Sequence, residues 1–144
     1  MATPPDDTAG ETKEEASDYW VGEGEKYWSE SDKTVQSALK ALEFIDKAIS
    51  IDPLNFKAWG DKGFLLKQMG EYDSALMCLE RALGFKNDFI PSLYNKAVLL
   101  GLTGKFDEAI ETYEKVLSLD PQHNLARRDL EMLLKIKHEG WSEE

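Results

Sequence analysis

An all-α chain of antiparallel helical hairpins is what this sequence predicts, and three observations carry the prediction. Residues 56–88 lie over residues 90–122 when the chain is shifted by 34 positions, so that Trp59 meets Leu93, Gly63 meets Ala97, Leu66 meets Leu100, Ala75 meets Ala109 and Leu83 meets Leu117. Within each unit the apolar positions recur at three- and four-residue spacing, at 59, 63, 66 and again at 75, 76, 79, 82, 83, one stripe on each of two helices. Gly70 and Gly104 fall between the two stripes, where the first helix stops and only glycine adopts the left-handed conformation cheaply.

These residues resemble the tetratricopeptide repeat, a 34-residue helical hairpin with small and aromatic residues at fixed offsets. Trp59, Gly63, Ala75 and Ala82 match in one unit, and Ala97, Ala109, Tyr113 and Pro121 in the next. Lys62 and Lys96 stand where the family has Leu, and Asn87 where it has Pro. The resemblance implies a right-handed superhelical stack, a TPR-like α-solenoid, of three repeats plus a C-terminal capping helix. The repeats are expected over 17–55, 56–89 and 90–123 and the cap over 124–144, behind a disordered acidic tail, 1–16.

The tail, MATPPDDTAGETKEEA, is too polar to offset its ordering entropy. The first helix is expected over 17–28, where Trp20, Gly24 and Tyr27 of WVGEGEKY stand at the template's positions. Gly22 and Gly24 each cost about 0.8–1 kcal/mol relative to alanine, so this helix is expected to fray. The second, over 33–50, carries Ala41, Ile45 and Ala48 at template positions. Tyr27 to Ala41 is 14 residues where Leu66 to Ala75 is nine, so about five residues are inserted. DKTVQSALK holds no Gly or Pro, and Ser31 or Thr34 can cap it, so the insertion is expected to lengthen the second helix at its start. The third and fourth helices are expected over 54–69 and 72–85, the fifth and sixth over 89–102 and 106–118. Asp73, Asp107 and Glu108 place negative charge near the starts of the second helices of their hairpins.

Asp52-Pro53 and Asp120-Pro121 read as an N-cap and first helical residue, and Asp88 as a cap with Pro91 in the first turn behind it. The last helix, over 123–138, has Leu130, Leu133 and Leu134 on one face and Arg127, Arg128, Lys135 and Lys137 elsewhere, a polar-backed end to a repeat stack. Beyond it Gly140 is expected to be left-handed, with Trp141 folding back on Ile136.

The net charge of −11 is uneven: residues 1–32 hold ten acids against Lys13 and Lys26, about −8 of the total. That balance opposes nucleic-acid binding, which needs a basic stripe. No apolar run approaches the roughly 18 residues of a membrane span, and no signal peptide is evident, so no membrane role is expected. Cys78 is the one cysteine, which excludes an intramolecular disulfide and a cysteine metal cluster and fits the cytoplasm. His123 and His138 lack metal-ligand spacing and read as solvated helix-end residues, while Cys78 beside Leu79 reads as core. No activated nucleophile, acid–base pair or phosphate loop is present, so no catalysis, cofactor or metal is expected.

The resemblance implies binding through a concave face formed by the first helix of each repeat. Its groove positions fall on Lys57, Asp61, Phe64 and Gln68 in the second repeat and on Tyr94, Asn95, Val98 and Leu102 in the third, bordered by Arg128, Met132 and Lys135. Phe64, Tyr94, Val98 and Leu102 suit an apolar or mixed segment of another protein. Tyr94 is expected as the anchor, its hydroxyl free for the partner's backbone. One subclass of the family grips a carboxylate terminus. Lys57 and Asn95 fit that clamp, but Asp61 replaces an Asn, and Leu125 and Asp129 stand where its Lys and Arg would be. The expectation is thus a non-catalytic adaptor. Two alternatives compete with it: a chaperone-tail adaptor with a degenerate clamp, and a homodimer joined through the solenoid edge.

Overall fold

Seven α-helices, with no strand, make up residues 12–140, which the computed structural model describes. They are α1 Lys13–Glu30, α2 Val35–Ile51, α3 Phe56–Gln68, α4 Tyr72–Phe85, α5 Ile90–Leu102, α6 Phe106–Leu119 and α7 Asn124–His138. The chain divides into two compact units, residues 12–87 and 88–140. In the first, α1 packs against α2 and α3 against α4, while α3 also touches α2 and α1. In the second, α5 packs against α6 and α6 against α7.

The first helix begins earlier than expected. Thr12 Oγ1 accepts from Glu15 N at 3.1 Å and Glu15 Oε2 accepts from Thr12 N at 2.9 Å, a reciprocal capping box that satisfies two otherwise unpaired amides. Residues 13–16, assigned to the tail from sequence, are therefore the first turn of α1, and Ala16 is buried. Residues 1–11 lie outside the described residues. At its far end, α1 is closed by Ser31 Oγ and Lys33 Nζ, both donating to the Trp28 carbonyl. The inserted residues do lengthen α2 at its start, where Thr34 Oγ1 caps Ser37 N at 3.2 Å.

The two glycines of α1 have different reasons to be there. A Cβ on Gly24 would lie 2.8 Å from Ile45 Cδ1 and 3.3 Å from the Ala41 carbonyl oxygen, so α1 sits close against α2 and a larger residue would have to push the Ile45 side chain aside. This contact and the burial of Val21 oppose the expected fraying. Gly22 is exposed and a Cβ there meets nothing within 4 Å. Gly22→Ala should therefore stabilise the protein by roughly 0.5–1 kcal/mol, the helix-propensity difference alone, read as a rise in melting temperature. A fall would mean that the position is crowded.

The turns within the regular hairpins follow the sequence. Gly70 and Gly104 have φ of 80° and 82°, and Glu71 N and Lys105 N reach back to the Leu66 and Leu100 carbonyls at 2.9 and 2.8 Å, completing Schellman closures. The junctions do not follow it. Asp52 and Asp120 are C-caps of α2 and α6, not N-caps of the next helices. Their carboxylates accept from Leu54 N and Gln122 N, an Asx turn that uses Pro as a turn residue rather than as the first residue of a helix. The N-caps are Asn55 and His123, and Phe89 rather than Asp88 precedes α5. Asp73 and Asp107 sit in the first turns of α4 and α6, where they favour the dipole without capping. Gly140 is left-handed, with φ of 86°. Its expected partner Trp141 lies outside the described residues.

The core of the first unit is a cluster of Val21, Ala38, Ala41, Ile45, Ala48, Ala58 and Leu65, with Trp20, Trp28 and Phe64 packed partly buried against it. In the second, Leu93, Ala97, Ala109, Tyr113, Val116 and Ala126 are buried.

Candidate binding site

Asn55 sets the position of α3. Its Oδ1 caps the helix by accepting from Lys57 N at 3.1 Å and Ala58 N at 3.2 Å. Its Nδ2 donates to Ser17 Oγ and Asp18 Oδ1 on α1, each at 2.9 Å, and Ser17 Oγ donates in turn to the Ala48 carbonyl of α2 at 2.8 Å. Ser17 and Asn55 are both buried, so each bond is needed to satisfy a desolvated group, and together they lock three helix ends.

Beyond this lock α1 and α3 leave a cleft of about 140 Å³ lined by Gly24, Glu25, Trp28, Ile45, Asp61, Phe64 and Leu65. The Trp28 and Phe64 rings meet edge to face with centroids 5.9 Å apart. Lys33 Nζ lies 5.1 Å from the Trp28 centroid, and Lys67 Nζ 5.1 Å from that of Phe64. Asp61 Oδ2 is buried without a hydrogen-bond partner. Burial, a hydrogen bond shared with Glu25 and the charge of that carboxylate push the Asp61 carboxyl up to about 9, against the opposing pull of Lys57. Near neutral pH the Asp61–Glu25 pair therefore shares a proton.

Of the residues expected in the groove, Asp61 and Phe64 share this cleft, while Lys57 is exposed on the first turn of α3 and acts on Asp61 through its charge. Gln68, the last residue of α3, is exposed and outside the lining. In the second unit Asn95 and Val98 are half-buried and Leu102 is exposed on α5.

The expected free hydroxyl of Tyr94 is corrected: it donates to Asp129 Oδ2 of α7 at 2.8 Å, with its ring 5.0 Å from His123 and 6.0 Å from Tyr113. Tyr113 donates to the same oxygen at 3.4 Å. Burial and Asp129 push the Tyr94 phenol up to about 12, and burial pushes that of Tyr113 up as well. His123 is not merely a solvated helix-end residue, because its Nδ1 accepts from Ala126 N at 3.1 Å and caps α7. Asp129→Ala leaves two phenols without their acceptor and should cost about 1–3 kcal/mol in urea denaturation, more than the single bond lost in Tyr94→Phe. Equal small losses would show that water replaces the carboxylate freely. Cys78 is free and buried, and burial raises its thiol.

Sequence reasoning placed Trp20, Gly24 and Tyr27 in a repeat template but did not assign α1 to the site. Gly24, Glu25 and Trp28 nevertheless stand at one- and four-residue spacing, the spacing of a single helix face.

Among residues 12–140 no helix is long and apolar enough to cross a membrane. Family models described as tetratricopeptide repeat match residues 44–77 and 90–123. A TPR repeat-containing protein of Methanocaldococcus jannaschii is 31% identical over 80 residues, 56% of this chain and 14% of its own length. DnaJ homolog subfamily C member 3 of Homo sapiens is 30% identical over 95 residues, 66% of this chain and 19% of its own. The chain thus spans less than a fifth of either relative. Among solved structures, the first TPR domain of Spaghetti (RPAP3), bound to the HSP90 peptide SRMEEVD, aligns with a TM-score of 0.78 at 17% identity, over 87% of this chain and 95% of that one. The Arabidopsis OM64 TPR domain aligns with 0.77 at 17%, over 86% and 98%. The 34-residue period, the left-handed glycines closing its hairpins, the two family matches and these folds together make the chain a tetratricopeptide-repeat protein with an all-α helical-hairpin fold.

Proposed function

We propose that this chain is a non-catalytic protein-interaction module that binds a peptide-like segment of another protein. The observation that carries the reading is the α1–α3 cleft, in which two aromatic rings and one buried, unpartnered carboxyl oxygen line an open space. Apolar walls with a single polar point are what hold and orient a side chain of an extended segment. The TPR domain of RPAP3, solved with a bound peptide, supports it as a precedent on the same fold. The free thiol of Cys78 is consistent with a reducing, cytoplasmic setting.

A chaperone tail is the weaker reading. The RPAP3 ligand SRMEEVD is acidic, whereas Asp61 and Glu25 sit in this cleft and Asp129 is committed to Tyr94 and Tyr113. Self-association competes as well.

Binding to an array of extended twelve-residue segments tests the proposal. A defined subset should bind, and Phe64→Leu, which keeps an apolar side chain on the core, should weaken it by about 5- to 30-fold, the effect of losing 1–2 kcal/mol at an interface anchor, with helicity unchanged. If no segment binds and sedimentation shows a concentration-dependent dimer, the chain is a self-assembling repeat instead.

A further inference from the structure

Resting on that reading, we propose that the α1–α3 cleft is a pocket for one lysine or arginine side chain of the bound segment. The methylene stem would lie against Trp28 and Phe64 and the charged head on the Asp61–Glu25 carboxyl pair. Three features of the cleft support this occupant.

The walls suit a long stem with a cationic end. Trp28 and Phe64 give apolar faces for a methylene stem, and because Lys33 and Lys67 already place an ammonium 5.1 Å from each ring centroid, the charged head is left to the carboxyl pair and not to the rings. The floor is polar and two carboxyls deep: Asp61 Oδ2 is buried with no partner beyond the neighbouring Glu25 carboxyl, and two carboxyls side by side are relieved by a donor that also carries positive charge. Charge selects among donors. A carboxylate of a partner entering here would meet Glu25 at once, an amide would satisfy the hydrogen bond alone, and a cation satisfies both bond and charge.

The charged groups acting on Asp61 are Glu25 from α1 and Lys57 from its own helix, while α2 contributes apolar Ile45 to the cleft. Because the Asp61–Glu25 pair shares a proton near neutral pH, an arriving cation favours the fully ionised pair and that proton leaves to solvent. Affinity should therefore rise as pH is raised from about 6 towards 9, the opposite of a site that simply loses its ligand's charge.

The experiment uses a displayed library of random twelve-residue segments, amidated in synthesis for follow-up, selected in parallel on the full chain and on Asp61→Asn. The expected result is one Lys or Arg position beside apolar residues, enriched on the full chain and lost on the variant. A synthetic winner should bind at least tenfold more tightly than its norleucine counterpart, and only to the unaltered chain. Enrichment of Lys and Arg that survives equally in Asp61→Asn would overturn the pocket, since the net charge of −11 alone would then be the attraction. Binding segments with no basic preference would overturn the pocket while leaving the peptide-binding reading intact. No binding segment at all would remove that reading, and the pocket with it.

Discussion

Replacing Gly63 by valine is expected to destabilise the first unit by about 3 kcal/mol, at the upper end for overpacked cores. A Cβ at this position would stand 2.7 Å from Leu79 Cγ, 2.8 Å from Leu79 Cδ2 and 3.1 Å from the Ala75 carbonyl oxygen. Leu79 is fully buried and Ala75 contributes backbone, so neither can move aside without shifting α4 away from α3. Valine adds two methyl groups beyond that Cβ. The loss is read as a lower denaturation midpoint by circular dichroism. A stability within 0.5 kcal/mol of the unaltered chain would mean that the hairpin opens without cost. The contrast with Gly22→Ala, where a Cβ meets nothing, separates close approach from helix propensity as the reason for a glycine.

The second large effect runs the other way. Asp61→Asn should stabilise the protein by roughly 2–4 kcal/mol near pH 8 and by almost nothing near pH 4. The sign follows from the proton count. Unfolded, Asp61 ionises near 3.8, as an ordinary aspartate does; folded beside Glu25, the carboxyl is pushed up to about 9. Folding between those values takes up a proton, so the stability that Asp61 allows falls as pH rises through the window. Asparagine does not titrate, and its amide can replace the shared proton as a donor to Glu25. Glu25 is exposed and the solvent around it screens the pair, which trims the gain below what the full shift implies. Urea denaturation at a series of pH values measures it. A pH-independent difference between the two proteins would show that Asp61 is ionised in the folded state.

Much of the fold was legible because repeats impose local constraints. The offset of 34 residues located α3 to α6 within two residues of their ends, and Gly70 and Gly104 announced their left-handed turns. The inserted residues could be assigned to the start of α2 because they contain no Gly or Pro. The junctions were misread because Asp-Pro serves equally as a helix start or as a C-cap and turn, and the choice depends on Asn55 and His123 two residues beyond each Pro. The site was the least legible part. That Tyr94 bonds to Asp129, 35 residues away, and that Asp61 faces Glu25 are consequences of packing between helices, which no periodicity encodes. Lys57, Gln68 and Leu102 follow from the repeat register, but register does not say which of its exposed positions meet a cleft.

Whether the α1–α3 cleft receives the partner segment is read from amide 1H–15N chemical shifts of the chain titrated with a selected segment. The largest changes are expected at Gly24, Glu25, Trp28, Asp61 and Phe64, saturating together with one affinity. Saturable binding that leaves these residues unmoved and shifts only exposed positions elsewhere, such as Met77 on α4, would contradict binding in the cleft.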